Sequence, residues 1–317
     1  MTMSDNIHLS DIQSTRKRAH DPVAFYLRAA RSENTHRAYA SDLSAFRKAG
    51  GSIPASPEMI AMYLADQAGS LAVSTLRRRL AAIAWAHRDC NHSDPTKSRL
   101  VRDTLRGIER HHGAKQKQAK PLLYEHLISI CGSLGDTSRD RRDRAALLVG
   151  FFAALRGSEL VSLRIEDTKL SATCLELTIR QSKTDQEKRG RRIAVPRLGG
   201  PICPVAAFCS WATIHNRTFG WVFPAGGNCC NTPSHLSVRQ LSRLVRSRSV
   251  AIGCSGDGYS SHSLRSGFVT WAGSAGMTPL QVASQSGHAD LSSTHAYMRA
   301  DRFSISQQIS DAVNTCK

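Results

Sequence analysis

The stretch Ser261-His262-Ser263-Leu264-Arg265, followed by Gly287-His288 and then by Tyr297, decides how the rest of the chain is read. His262 and Arg265 stand three apart, so a helix capped at Ser260 or Ser261 sends both side chains from one face of its first turn. A titratable base then lies beside a permanent cation. Between them and the tyrosine, Met277-Thr278-Pro279-Leu280 reads as a further helix start with proline just inside it. Such a cluster suits a phosphodiester. Guanidinium and imidazolium groups hold the non-bridging oxygens, while a tyrosine attacks phosphorus and keeps the phosphoryl group as a covalent ester. That chemistry calls for no metal and no other cofactor.

Composition agrees with an anionic substrate. The 317 residues carry 43 Lys+Arg against 25 Asp+Glu, a formal charge of +18, which points to a polyanionic partner and first of all to nucleic acid. Arginine outnumbers lysine, and its planar fork matches phosphate oxygens where lysine offers a point charge. The nine cysteines are irregularly spaced and read as reduced, mostly buried thiols rather than disulfide or zinc pairs. With no signal pattern and no apolar run of membrane-spanning length, the sequence predicts a cytoplasmic protein without a membrane partner.

Working outward, residues 1–20 lack apolar periodicity and are expected to form a flexible arm. Residues 21–112 read as a small helical bundle. Asn34 or Thr35 is expected to cap a helix carrying Tyr39, Leu43 and Phe46, and a second helix begins at Ser56-Pro57. A third starts at Ser74, with Arg77-Arg78-Arg79 in its first turns, and a fourth follows Asp94-Pro95, where Arg106 and other arginines alternate with Val101, Leu105 and Ile108. Three consecutive arginines cannot all face one way, so at least one should point to solvent. Residues 113–121 read as a linker, and the adjacent His111-His112 just before it have no acidic or cysteine neighbour at metal-ligand spacing.

The second domain, 122–317, is expected to open with helices around 122–130 and 139–156, the latter nearly all apolar from Ala145 to Leu155 and closing on Arg156. Glu159 follows on the same face if the helix continues or restarts. Leu175, Leu177 and Ile179 alternate with polar residues as a strand, and Ile193 and Val195 begin its partner, with Lys183 in the hairpin loop between them. Residues 201–223 read as helical. An amphipathic helix from Leu236 to Ile252 turns Leu241, Leu244 and Val245 inward and Arg239, Arg243, Arg246 and Arg248 outward. The C-terminal tail sets Ile305, Ile309 and Val313 four apart, giving a short helix at about 303–314 with a narrow apolar stripe.

Taken together, these residues resemble the tyrosine recombinase family of phage-integrase, Cre-like and Xer-like enzymes. Ala154-Leu155-Arg156-Gly157-Ser158-Glu159-Leu160 resembles the family's first-arginine motif, and Gln181-Ser182-Lys183-Thr184 its hairpin lysine. His262-Ser263-Leu264-Arg265 resembles the His-x-Leu-Arg box, Ser286-Gly287-His288 the Gly-His box and Thr294-His295-Ala296-Tyr297 the nucleophile segment. Ser32 to Tyr39, with Arg37, resembles the opening helix of the core-binding domain. Alanine stands at 154 where many members have glycine, and serine at 286 where many have leucine; neither change removes a catalytic atom.

The resemblance implies a mainly α fold with a small antiparallel β-sheet: a SAM-like helical core-binding bundle followed by an α+β catalytic domain. It implies a site-specific recombinase that cleaves and rejoins DNA through a 3′-phosphotyrosyl intermediate, for integration, excision or resolution of DNA elements. Tyr297 would be the nucleophile, with Arg156, Arg265 and His288 on the phosphoryl oxygens, Lys183 as the acid for the 5′-oxygen and His262 as the base, oriented by Glu159. Arg37, Arg77, Arg78, Arg79, Arg106, Arg239, Arg243 and Arg246 would contact DNA. The implied partner is double-stranded DNA with inverted-repeat sites, bound in the bacterial cytoplasm by a homo-tetramer acting alone or with a second recombinase and exchanging its C-terminal helix between protomers.

Three other readings compete. A topoisomerase or telomere resolvase would use the same phosphotyrosyl chemistry, and a catalytically silent accessory protein would bind DNA only. A metal-dependent nuclease would need a carboxylate pair. Asp140 and Asp143 offer one, but they lie within Arg139-Asp140-Arg141-Arg142-Asp143-Arg144 and read better as internal ion pairing.

Overall fold

The computed structural model describes residues 26, 30–113, 118–180, 190–225 and 234–287. The expected arm at 1–20, Lys183, His288, Tyr297 and the 305/309/313 stripe lie outside these residues. The chain divides into two compact units, Met1–Gln116 and Lys117–Lys317.

Among the described residues of the first unit, four α-helices enclose one small core. Helix α1 spans Glu33–Lys48 and is capped by Ser32 rather than by Asn34 or Thr35, because Ser32 has the extended backbone that lets its Oγ accept from the Thr35 N–H. Helix α2, Pro57–Asp66, starts as expected, with Ser56 as the cap and Pro57 in the first turn. Helix α3 covers Val73–Asp89. Asp94 does not begin the fourth helix: it caps a single 3₁₀ turn at Pro95–Lys97, and Ser98 then caps α4, Arg99–His112. Leu43, Phe46, Ile60, Leu64, Leu76, Ile83, Val101 and Ile108 fill the interior. Phe46 meets Tyr63 edge-on at 4.9 Å, and its loss to alanine would cost about 3–5 kcal/mol. His87 is buried among them. Its Nε2 accepts from the Ala55 N–H, so Nδ1 carries the proton and donates to the Ile83 carbonyl.

The second unit is α+β. Helices α5 (Tyr124–Ser133) and α6 (Ser138–Phe152) lead in, and from Ala145 to Phe152 every residue of α6 is buried. The chain does not carry α6 through to Arg156. Ala154 takes a left-handed backbone (φ 50°), which ends the helix and makes Arg156 the N-cap of a new short helix, α7, Gly157–Val161. Glu159 therefore lies on the first turn of a restarted helix.

Strands β1 (Thr168–Leu170), β2 (Cys174–Ile179) and β3 (Arg191–Pro196) form one antiparallel sheet in that order. Leu175 pairs with Val195 and Leu177 with Ile193, and all four bury the same face. Helix α8, Pro204–His215, is shorter than the expected 201–223 because Asn216 adopts a left-handed cap. Helix α9, Val238–Ala251, opens with a Ser237–Gln240 capping box. Helices α10 (His262–Ser274) and α11 (Pro279–Ser286) are the last described elements, α11 with Thr278 as cap and Pro279 in its first turn, as the spacing predicts.

Two further expectations are corrected. Arg248 does not face outward: it bonds Asp140 at 2.9 Å and Asp143 at 3.3 Å, while Asp143 also holds Arg142 at 2.8 Å, so the acidic pair is spent on ion pairing between α6 and α9. The described cysteines are not mostly buried. Of the six described, all free thiols, only Cys131 and Cys203 are buried, and burial pushes the Cys131 thiol up to about 11. Among the described residues, no helix is long and apolar enough to cross a membrane and no cluster of metal-ligating side chains occurs.

Candidate active site

The starts of α7 and α10, the end of α11 and the first residue of β3 meet in the second unit. Close approach is possible because residue 157 is glycine: a Cβ there would collide with the Ser261 side chain at the start of α10. The start of α10 is held by neither serine in the usual way. Ser261 has helical backbone and no side-chain cap bond; instead the Ser260 Oγ accepts from the His262 N–H, and the Ser263 Oγ accepts from the Ser260 N–H.

Arg265 enters the interior at 2% exposure and donates to the carbonyls of Ala154 and Ser286. A guanidinium buried this deeply is tolerated because backbone oxygens receive its protons. Arg156 donates to Glu159 at 2.8 Å and to the Gly287 carbonyl at 3.3 Å, while its own N–H is accepted by the second Glu159 oxygen at 3.0 Å. Burial pushes the Glu159 carboxyl up, but the Arg156 N–H and the Arg191 and Arg156 guanidiniums outweigh it, and Glu159 stays below the ordinary glutamate range. Three guanidiniums thus gather at the site, and Glu159 is the carboxylate that two of them share. The surplus of positive charge is what an anion would find.

His262 remains accessible to solvent, yet desolvation and then the charges of Arg265 and Arg156 hold its pKa below the ordinary histidine value. It is therefore neutral at pH 7 and can take up a proton.

Of the expected site residues, the structure brings together Arg156, Glu159, His262 and Arg265. Lys183, His288 and Tyr297 lie outside the described residues, although Gly287, bonded directly to His288, is placed against Arg156. Glu159, expected to orient His262, bonds Arg156 and Arg191 instead and makes no hydrogen bond to the histidine. Arg191 is absent from the sequence-based set. It donates to Glu159 at 3.0 Å and to the Gln285 carbonyl at 3.0 Å. A signal for it exists: Arg191 shares the parity of Ile193 and Val195, so it continues the buried face of β3.

The expected DNA-contacting arginines are elsewhere. Arg37 is exposed and bonds Asn34; Arg77 bonds Glu109 and Arg106 bonds Asp103, while Arg78 and Arg79 converge on the buried Asp42. Arg239, Arg243 and Arg246 line the exposed side of α9 and have no carboxylate partner among the described residues.

The sequence model of the phage integrase family matches residues 92–302. The chain is 30% identical over 285 residues to the integrase/recombinase XerD homolog of Selenomonas ruminantium, across 86% of this chain and 83% of that protein. In fold it is similar to the XerH site-specific recombinase bound to palindromic difH substrate (TM-score 0.62, 21% identity, 86% of this chain and 78% of that one). It is also similar to a lambda integrase dimer bound to a COC′ core site (0.59, 17%, 84% and 89%). A third likeness is to the Tn1549 transposon integrase in complex with transposon right end DNA (0.63, 13%, 92% and 97%). The chain belongs to the phage integrase family. It is a site-specific tyrosine recombinase, an enzyme of DNA strand breakage and rejoining.

Proposed function

We propose that the guanidiniums of Arg156 and Arg265, with His288, hold the non-bridging oxygens of the scissile phosphate while Tyr297 attacks phosphorus. The P–O bond to the 5′-oxygen breaks, Lys183 protonates that oxygen, and the DNA 3′-end stays esterified to Tyr297. His262 takes the tyrosine proton. A 5′-hydroxyl from another strand reverses the step, so rejoining needs no ATP. The observation that carries this reading is the meeting of α7, α10 and α11 on a buried cationic cluster, in a chain whose sequence continues to a Gly-His box and a tyrosine.

The partner is double-stranded DNA, in line with the transposon right end DNA bound by the Tn1549 integrase, the difH substrate of XerH and the core site of the lambda integrase. The helical unit serves as the core-binding part, residues 1–20 as an arm and 113–121 as the linker. Four protomers act on two inverted-repeat sites of a mobile element in the bacterial cytoplasm, passing the 305/309/313 helix to a neighbour. The charge of +18 supports strong, salt-sensitive DNA binding.

The test uses a nicked suicide duplex carrying the sequence that the full chain enriches from a random library, in EDTA. A covalent protein–DNA band is expected from wild type and none from Tyr297→Phe. A native gel shift without any covalent band from wild type would favour a binding-only role. Because the folded pKa of His262 is depressed, its base function is lost only as pH falls below the ordinary histidine value of about 6.5. The wild-type cleavage rate should hold through that value and drop only at more acid pH, and His262→Gln should be slow with that acid limb gone.

A further inference from the structure

The last two carbonyls of α11 and that of its cap each receive a different guanidinium: Gln285 from Arg191, Ser286 from Arg265 and Gly287 from Arg156. A helix C-terminus gathers partial negative charge on such oxygens, so cations are favoured there. Two of these arginines belong to the proposed phosphate-binding set. The third does not, and it comes from the sheet. Arg191 opens β3, eight residues after Lys183 in the chain, and its side chain is only 19% exposed.

We infer that Arg191 is a positioning residue of the recombination reaction: it shares Glu159 with Arg156, so that Arg156 keeps charge for the phosphate, and it fixes the backbone that leads into His288. The inference rests on the roles proposed above for Arg156 and His288.

Two independent features carry it. The first is charge. Glu159 is 2% exposed and would neutralise Arg156 alone; with Arg191 on the same carboxylate oxygen that receives the Arg156 N–H, the trio has a net charge of +1. Removing Arg191 brings it to zero and leaves Glu159 wholly to Arg156. The second is shape. Gly287 has φ 68° and lies against the Arg191 guanidinium, so closely that a Cβ at 287 would collide with it. The guanidinium plane and the absent side chain fit each other, and the peptide between 286 and 288 is set by that fit. Arg191 Nε is buried and makes no hydrogen bond among the described residues.

The experiment compares wild type, Arg191→Gln, Arg191→Lys and Tyr297→Phe as full chains on the nicked suicide duplex, measuring the single-turnover rate of covalent adduct formation and, separately, DNA affinity. Arg191→Gln should cleave at least tenfold more slowly with affinity within twofold of wild type. Arg191→Lys, which restores the charge but not the fork, should recover most of that rate. Cleavage by Arg191→Gln within twofold of wild type, or a loss no larger than its loss of affinity, overturns the inference. Failure of wild type itself to form the adduct while Tyr297→Phe behaves identically would strike the proposed nucleophile rather than Arg191. Arg191 is therefore also read without catalysis, by thermal melting of Gly287→Ala in the wild-type and Arg191→Gln backgrounds. The alanine should lower the melting temperature clearly more in wild type than in the Arg191→Gln background, where the facing side chain is shorter and softer. Equal shifts in the two backgrounds overturn the inference.

Discussion

The arginines of the active site and those of the helical unit are held in different ways. In the helical unit several pair with side-chain carboxylates: Arg77 with Glu109 and Arg106 with Asp103 at the surface, Arg78 with Asp42 just beneath it, where Arg79 also approaches while donating to the Tyr63 hydroxyl. In the α+β unit Arg156, Arg191 and Arg265 are bound chiefly by main-chain carbonyls at the ends of helices, with Glu159 as the shared carboxylate. The difference is one of freedom. A surface carboxylate can release its arginine to a phosphate at little cost, because water screens both partners. A carbonyl at a helix end cannot move without its helix, so an arginine bound there is already aimed before DNA arrives.

The contrast is tested most severely at Arg265. Arg265→Lys keeps the charge, but an ammonium cannot satisfy Ala154 and Ser286 while presenting a flat fork to a phosphate. The single-turnover cleavage rate should fall by about 10²–10³-fold, the size of effect seen when one donor to a developing oxyanion is removed. DNA affinity should change far less. A rate within tenfold of wild type would mean that charge alone suffices and that the backbone anchoring is incidental.

Two buried acids give the next comparison, Glu159 in one unit and Asp42 in the other, at 2% and 3% side-chain exposure. Glu159→Gln leaves two part-buried guanidiniums facing each other and should cost about 3 kcal/mol, the lower end for breaking a buried pair. Asp42→Asn should cost about 1–2 kcal/mol, because Arg78 is half exposed and water can solvate it once the carboxylate is gone. Hydrogen exchange in α7 and in α1 would read the two losses locally. The Glu159 contribution also has a pH signature. Its folded pKa is depressed, so the stability it provides is complete above the unfolded value of about 4.3 and is lost as pH falls through the folded one. Wild type should lose stability in that acid window, and Glu159→Gln should not show that component.

How far the sequence reveals this arrangement depends on how local each cause is. Caps such as Ser56-Pro57 and Thr278-Pro279 act within one turn, and both helix starts stand where the spacing predicts. The β2–β3 pairing follows from alternation over six residues, whereas β1 has only three, none of them buried, and gives no pattern to read. The break after α6 is hidden because Ala154 is a good helix former held in a left-handed conformation by its surroundings. Long-range ion pairing is the hardest to see. Arg248 looks like one of four outward arginines on α9, yet it finds Asp140 and Asp143 more than a hundred residues earlier in the chain. Motifs mark Arg156 and Arg265. Arg191 has no motif, and only its parity within β3 marks it.

The smallest effects fall on the surface, where the contrast between held and unheld arginines can be followed into DNA binding itself. Arg243 on α9 has no carboxylate partner among the described residues, whereas Arg77 bonds Glu109 at 2.7 Å. If Arg243 meets a phosphate, Arg243→Ala should weaken affinity for all sequences alike and reduce the slope of log K against log salt by about 0.9, the share of one phosphate contact on duplex DNA. Arg77 must first give up Glu109 to do the same, so part of its charge is already spent and Arg77→Ala should change the slope less. Adding Glu109→Gln tests the reason. With the carboxylate neutralised, Arg77 should bind phosphate more strongly, so Glu109→Gln should raise affinity at low salt and steepen the slope. An unchanged slope in that variant would place Arg77 away from DNA and leave its pairing with Glu109 as its whole role.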